Sequence, residues 1–111
     1  MSECSWPYNK QQSISFSIYG LNTEWNNVAG LYIFAYKTSA NIWYALYIGQ
    51  TNDFSVRLPN HERLNEAIRR GATHIHARVV SLQKDRDYYE EEMIQYLQPP
   101  MNDQLKKASN F

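Results

Sequence analysis

The chain has 111 residues, 43% hydrophobic and 14% aromatic, with eleven basic side chains balanced by eleven acidic ones. That composition excludes an intrinsically disordered chain and a membrane span, and the length supports one domain around one core. Zero net charge does not advertise a nucleic-acid binder, and the single cysteine, Cys4, rules out an internal disulfide or a thiolate metal cluster.

Residues 1–12 read as a loose, polar start without the apolar stretch of a signal peptide. Cys4 reads as an unimportant thiol in that terminus, which suits a reducing, cytoplasmic setting. Residues 13–19 alternate Ser, Ile, Ser, Phe, Ser, Ile, Tyr, the period-two pattern of a half-exposed edge strand. Residues 20–27 are loop, and 30–49 read as a β-hairpin, two aromatic and β-branched runs around a polar connector at 37–42.

Pairing Tyr36 with Trp43 sets Tyr32 opposite Tyr47. Tyr32, Phe34, Tyr36, Trp43, Ala45 and Tyr47 then share one face, and Leu31, Ile33, Ala35, Leu46 and Ile48 the other. Both faces are apolar, so the hairpin is expected in the middle of a sheet covered on each side. Gly30 and Gly49 fall at the same end, where glycine lets a ligand or another backbone come close.

A helix follows over 54–70, with Gly71 as its stop. Pro59 is awkward within it, so the helix either starts just before Val56 or breaks at Asn60. A third main strand is expected over 73–82 and a second helix over 85–97, closed by Pro99 and Pro100. Residues 103–111 read as a second loose end, leaving a core over 28–102. The fold class expected is α+β, a small three-stranded antiparallel sheet with a possible N-terminal edge strand, flanked by helices.

Charge is unevenly spread. Residues 57–86 carry seven Lys or Arg against three acids, a basic middle that includes Arg63 and Arg78 and could track phosphates. Arg57 and His61 are four apart, and Leu64 and Ile68 continue their helical stripe toward the core. The bland alternative is a snorkelling arginine and a surface histidine. Glu90, Met93, Ile94 and Leu97 form the apolar stripe of the second helix, placing a lone carboxylate on a buried face. Such a carboxylate needs a metal, a cation or a capping box with Asp87. His74 and His76 alternate on a strand, but zinc would lack further ligands, which favours an exposed or phosphate-facing strand edge.

Together these elements resemble the GIY-YIG nuclease superfamily. Gly30-Leu31-Tyr32 and Tyr47-Ile48-Gly49 are similar to its two signature triplets. Arg57 stands ten residues after Tyr47, His61 four beyond that, and Glu90 precedes an apolar helix ending in Pro99-Pro100-Met101-Asn102. The likeness covers about residues 30–102. It departs at Gln50, where several relatives, including the excision-repair nucleases, carry lysine, and at Pro59.

The resemblance implies hydrolysis of a DNA phosphodiester with one divalent ion, Mg²⁺ or Mn²⁺, held by Glu90. It assigns Tyr47 as general base, Tyr32 as its orienting partner, Arg57 as the phosphate clamp, His61 as relay or phosphate ligand, and Asn102 as a structural pin. Gly30, Gly49, Gln50, Arg63 and Arg78 are expected along the substrate path. DNA stands ahead of RNA, and with no separate recognition domain, specificity must come from a protein partner, self-association or substrate shape. A catalytically inactive domain that binds nucleic acid or protein is the alternative, and a purely structural aromatic sheet comes third.

Overall fold

In the computed structural model, which describes residues 2–102, the chain folds as an α+β layer structure. Five strands, β1 (Glu3–Pro7), β2 (Ser13–Gly20), β3 (Gly30–Lys37), β4 (Trp43–Thr51) and β5 (His74–Val79), form one antiparallel sheet in the order β1-β2-β5-β3-β4. Three helices, α1 (Phe54–Arg57), α2 (Leu64–Arg69) and α3 (Gln83–Leu97), cover its two faces. No helix among the described residues is long and apolar enough to cross a membrane.

The expected three-stranded core, β5-β3-β4, is present, but the sheet is larger than the sequence suggested. Residues 3–7 are not loose: they pair with β2, from Glu3 opposite Ser17 to Pro7 opposite Ser13. Trp6 and Tyr8 are buried there, and Cys4 becomes a part-buried strand residue. The strand at 13–20 is therefore internal, flanked by β1 and β5, and not an edge. The expected loose segment at 103–111 lies outside the described residues.

The hairpin is not in the middle; β5 is central and β4 lies at an edge. Its register also differs from the simple one. Tyr32 faces Gly49 and Phe34 faces Tyr47, then a bulge at Leu46 moves Ala35 opposite Ala45 and Tyr36 opposite Tyr44. One extra residue inverts the facing of everything before it in the strand. Leu46 accordingly joins Tyr32, Phe34 and Tyr47 on the face covered by α1 and α2, with Phe54, Leu58 and Ala67. Trp43 and Ala45 turn to the face covered by α3, with Leu31, Ile33, Ala35, Ile48, Met93 and Ile94. The β4 edge is closed from outside. Met101 N–H donates to the Leu46 carbonyl at 3.0 Å, and the Asn102 amide pairs with Ile48 N–H and C=O, both at 2.9 Å.

The expected 54–70 helix breaks, as Pro59 warned. Asp53 caps α1, its carboxylate accepting Ser55 N–H at 2.9 Å, and Leu58 ends the turn. Proline cannot continue the ladder, so residues 58–63 form turns before α2. The break rotates the stripe expected over Arg57, His61, Leu64 and Ile68. Ala67 is buried in place of Ile68, which is exposed.

Candidate active site

Tyr32 and Tyr47 project from β3 and β4 onto the α1–α2 face, ring centroids 6.4 Å apart. Glycine at position 49 is what admits the Tyr32 ring: a Cβ there would lie 2.5 Å from its Cζ and hydroxyl oxygen. The space over Gly30 is likewise filled from within, by the Phe54 ring and the Arg78 backbone. The close approach expected at both glycines is thus made by the chain's own groups.

The turn after Pro59 drops His61 between the two phenols, edge-on to each, at 5.4 Å from Tyr32 and 5.3 Å from Tyr47. Only 6% of His61 is exposed. Burial, helped by the nearby Arg57 charge, pushes its pKa down to about 4, so the ring is neutral at pH 7. Arg63 N–H donates to His61 Nδ1 at 3.1 Å, which leaves the proton of the neutral ring on Nε2. Nε2 lies 2.8 Å from the Tyr32 hydroxyl, so His61 donates and Tyr32 accepts. The histidine is neither a helix-surface residue nor a source of positive charge. It orients Tyr32.

Burial raises the pKa of both phenols, and the neighbouring Tyr47 adds to the rise at Tyr32. Arg57 pulls both down, and Arg63, 5.8 Å from the Tyr47 ring centroid, pulls Tyr47 down further. Burial wins, so the positive field expected to activate Tyr47 does not offset desolvation in the free protein. Tyr32 is fully buried, while Tyr47 keeps contact with solvent.

Arg57 is held by Glu62, Nη1 to Oε2 at 2.8 Å and Nη2 to Oε1 at 3.2 Å. That fork-on-fork pair, with Tyr32 adding a smaller contribution, raises the arginine pKa further and pushes Glu62 down to about 2. The guanidinium is part-exposed and lies beside Tyr32.

Glu90 comes to the same sheet end from α3. It is not a helix cap: α3 starts after Leu82, well before the Asp87–Glu90 pair. Gln50 Nε2 bridges Glu90 Oε1 at 2.9 Å and Asp87 Oδ1 at 2.7 Å. Burial raises the Glu90 pKa; the Gln50 hydrogen bond lowers it and the Asp87 charge raises it. Its own charge raises both phenols, which places it within their electrostatic reach. Among the described residues no ion pair reaches Glu90.

Gln50 is the hub of a network that sequence reasoning did not find. Its Oε1 accepts Gln83 Nε2 at 2.8 Å and Arg86 Nε at 3.3 Å. Arg86 is 4% exposed and also donates to the carbonyls of Val80 and Ser81, at 2.9 and 3.0 Å. It sits in a run of mixed charge on α3, so no pattern separated it from a solvated face. Glu62, too, carried no signal beyond its nearness to Arg57.

The structure therefore gathers Tyr32, Tyr47, Arg57, His61 and Arg63 on one side of the Gly49 end and Gln50 with Glu90 on the other, with Asn102 bracing β4 between them. Arg78 is elsewhere. It shares the sheet face of His76, and its Nη1 donates to the Ser15 carbonyl of β2 at 3.0 Å. His76 is not at an exposed edge either: it is fully buried, and its Nδ1 accepts the Trp6 indole N–H at 2.9 Å.

Among the described residues no three His, Cys, Asp or Glu side chains converge as a ready cage. The donor chemistry still fits a single hard cation. Glu90 is a half-buried carboxylate with no cationic partner among the described residues, and Mg²⁺ characteristically takes one or two carboxylates, with waters and substrate phosphate completing its shell. Comparison of the chain with protein-family models, curated proteins and solved structures finds no match.

Proposed function

We propose that the chain is a metal-dependent endonuclease of the GIY-YIG type, hydrolysing DNA phosphodiester bonds at the Gly49 end of the hairpin. One observation carries this reading: two phenols, a part-exposed guanidinium and a half-buried carboxylate with no ion pair among the described residues stand within electrostatic reach there, on four separate elements. A structural core has no use for that combination, because a carboxylate taken from water without a cation costs stability.

Arg57 supplies the planar fork that grips a phosphate, which takes over the contact now made by Glu62. Tyr47, the phenol in contact with solvent, faces the attacking water; it first gives its own proton to solvent, and the phenolate then takes the proton of that water. Tyr32, fully buried, accepts from His61 and so keeps its own hydroxyl proton, and it serves as the fixed partner beside Tyr47. Arg57 and Arg63 both lower the Tyr47 pKa, and loss of the Glu62 contact exposes more of that field. Gln50 fixes the Glu90 carboxylate in place of the lysine that some relatives carry. Glu90 would hold the divalent cation, Mg²⁺ or Mn²⁺, which would supply neutralisation of the charge that develops as the phosphodiester breaks. A cytoplasmic setting and specificity borrowed from a partner, self-association or DNA shape belong to the same proposal.

A second reading, a domain that grips nucleic acid or a protein without cutting, draws on the raised phenol pKa values and on Glu62 occupying Arg57. Incubation with supercoiled plasmid, branched DNA and RNA, each with Mg²⁺, Mn²⁺ or EDTA, separates them. DNA cleavage confined to the metal-containing reactions is expected. Retention of DNA in a gel shift with no cleavage in either metal selects the second reading.

A further inference from the structure

On the face opposite α3, beside the candidate active site but separate from it, strands β2 and β5 and the loop after β2 enclose a cleft of about 440 Å³. One wall is aromatic. Tyr19 meets Trp25 edge to face at 4.9 Å, and Trp25 leans on Phe54 at 5.6 Å. The floor is low, because the cross-strand partners there are Ser17 and Ala77. Glu24 stands among the lining residues and offers acceptor oxygens.

These features select a flat ligand. Aromatic walls hold a planar ring by stacking, worth enough per base to show in single substitutions. Side chains of both signs at its margin, acceptors on Glu3 and Glu24 and donors on Arg78, match the acceptor and donor edge of a base. The cleft is also tied to the proposed chemistry by distance along one helix. Phe54 opens α1 and Arg57 is three residues on, about 5 Å of helical rise. A strand that lays a phosphate on Arg57 has a neighbouring base within reach of Trp25.

We infer that this cleft receives an unpaired nucleobase of the strand gripped by Arg57, so that the preferred substrate is DNA with an extrahelical nucleotide next to the cut. The inference rests on the nuclease reading only in placing that phosphate on Arg57. In a fully paired duplex the base must first leave the stack, which makes such DNA a weaker ligand.

The test is binding in EDTA, where no cleavage occurs. Three labelled duplexes are compared by fluorescence anisotropy: fully paired, with one unpaired nucleotide, and with an abasic residue at that same unpaired position. The wild-type chain should bind the second about tenfold more tightly than the other two. Trp25→Leu, folded by circular dichroism, should erase that preference, and Ser17→Phe, which fills the floor, should do the same. Equal binding of all three duplexes, no binding of any, or a preference that survives both substitutions overturns the inference. A chain that cuts DNA with Mg²⁺ yet shows no preference loses the cleft and keeps the nuclease; one that shows the preference and never cuts does the reverse.

Discussion

His61 and His76 are buried imidazoles that fold neutral, each pushed from about 6.5 down to about 4 by burial first, then by a neighbouring cation or histidine. The unfolded chain binds protons between those two values and the folded chain refuses them, so stability rises with pH across that window. The contribution is fully present above about pH 6.5 and is lost as the pH falls toward 4. About 3 kcal/mol for each ring is expected. Urea denaturation should show a falling midpoint from pH 7 to pH 4, and a midpoint that stays flat over that range would contradict the neutral burial of both rings. The residue-level chemistry was only partly legible in the sequence. Spacing singled out Arg57, His61 and Glu90, yet it could not say that Glu62 would hold the arginine or that Gln50 would bridge two acids. Those partners arrive through tertiary contacts between β4, α3 and the turn after Pro59, and no local pattern encodes them.

Elements were easier to locate than to orient. The aromatic runs at 30–37 and 43–51 declare strands, but they are apolar on both faces, so their pattern does not penalise a shifted register. The bulge at Leu46 was invisible for that reason, and the expected facing of Trp43, Ala45 and Leu46 was inverted. Pro59 broke the helix where its ring chemistry demands. Residues 3–7 were missed because a five-residue strand holding Pro7 carries little alternation, and its apolar members bury against partners far along the chain. The segment after α3 has a clear mechanical role. Asn102 donates to and accepts from the Ile48 backbone, closing the β4 edge one residue from Gly49. Asn102→Ala leaves a backbone N–H and C=O without those partners and should cost about 2 kcal/mol. A thermal melt that matches wild type would show that the bracing is dispensable.

Across the whole molecule, the sheet is covered on both faces and each face delivers part of the candidate site. α1, α2 and the turn between them bring Arg57, His61 and Arg63 to the phenols, while α3 brings Glu90 to Gln50 of β4. The bulge sets the facing of β4, the Pro59 break places His61 against the phenols, and the Asn102 clamp holds β4 next to Gly49. Order along the chain, two triplets followed by arginine, histidine, glutamate and asparagine, was readable from the sequence; the convergence needed the fold. In the proposed reaction Arg57 and Glu90 act on one phosphate, so the decisive experiment is plasmid nicking by Arg57→Ala and Glu90→Gln. Glu90→Gln removes a charge that burial disfavours, so its fold should be at least as stable as wild type at pH 7. Both variants, folded by circular dichroism, should lose metal-dependent nicking by a factor on the order of 100 or more. Wild-type nicking rates in either one would contradict the account.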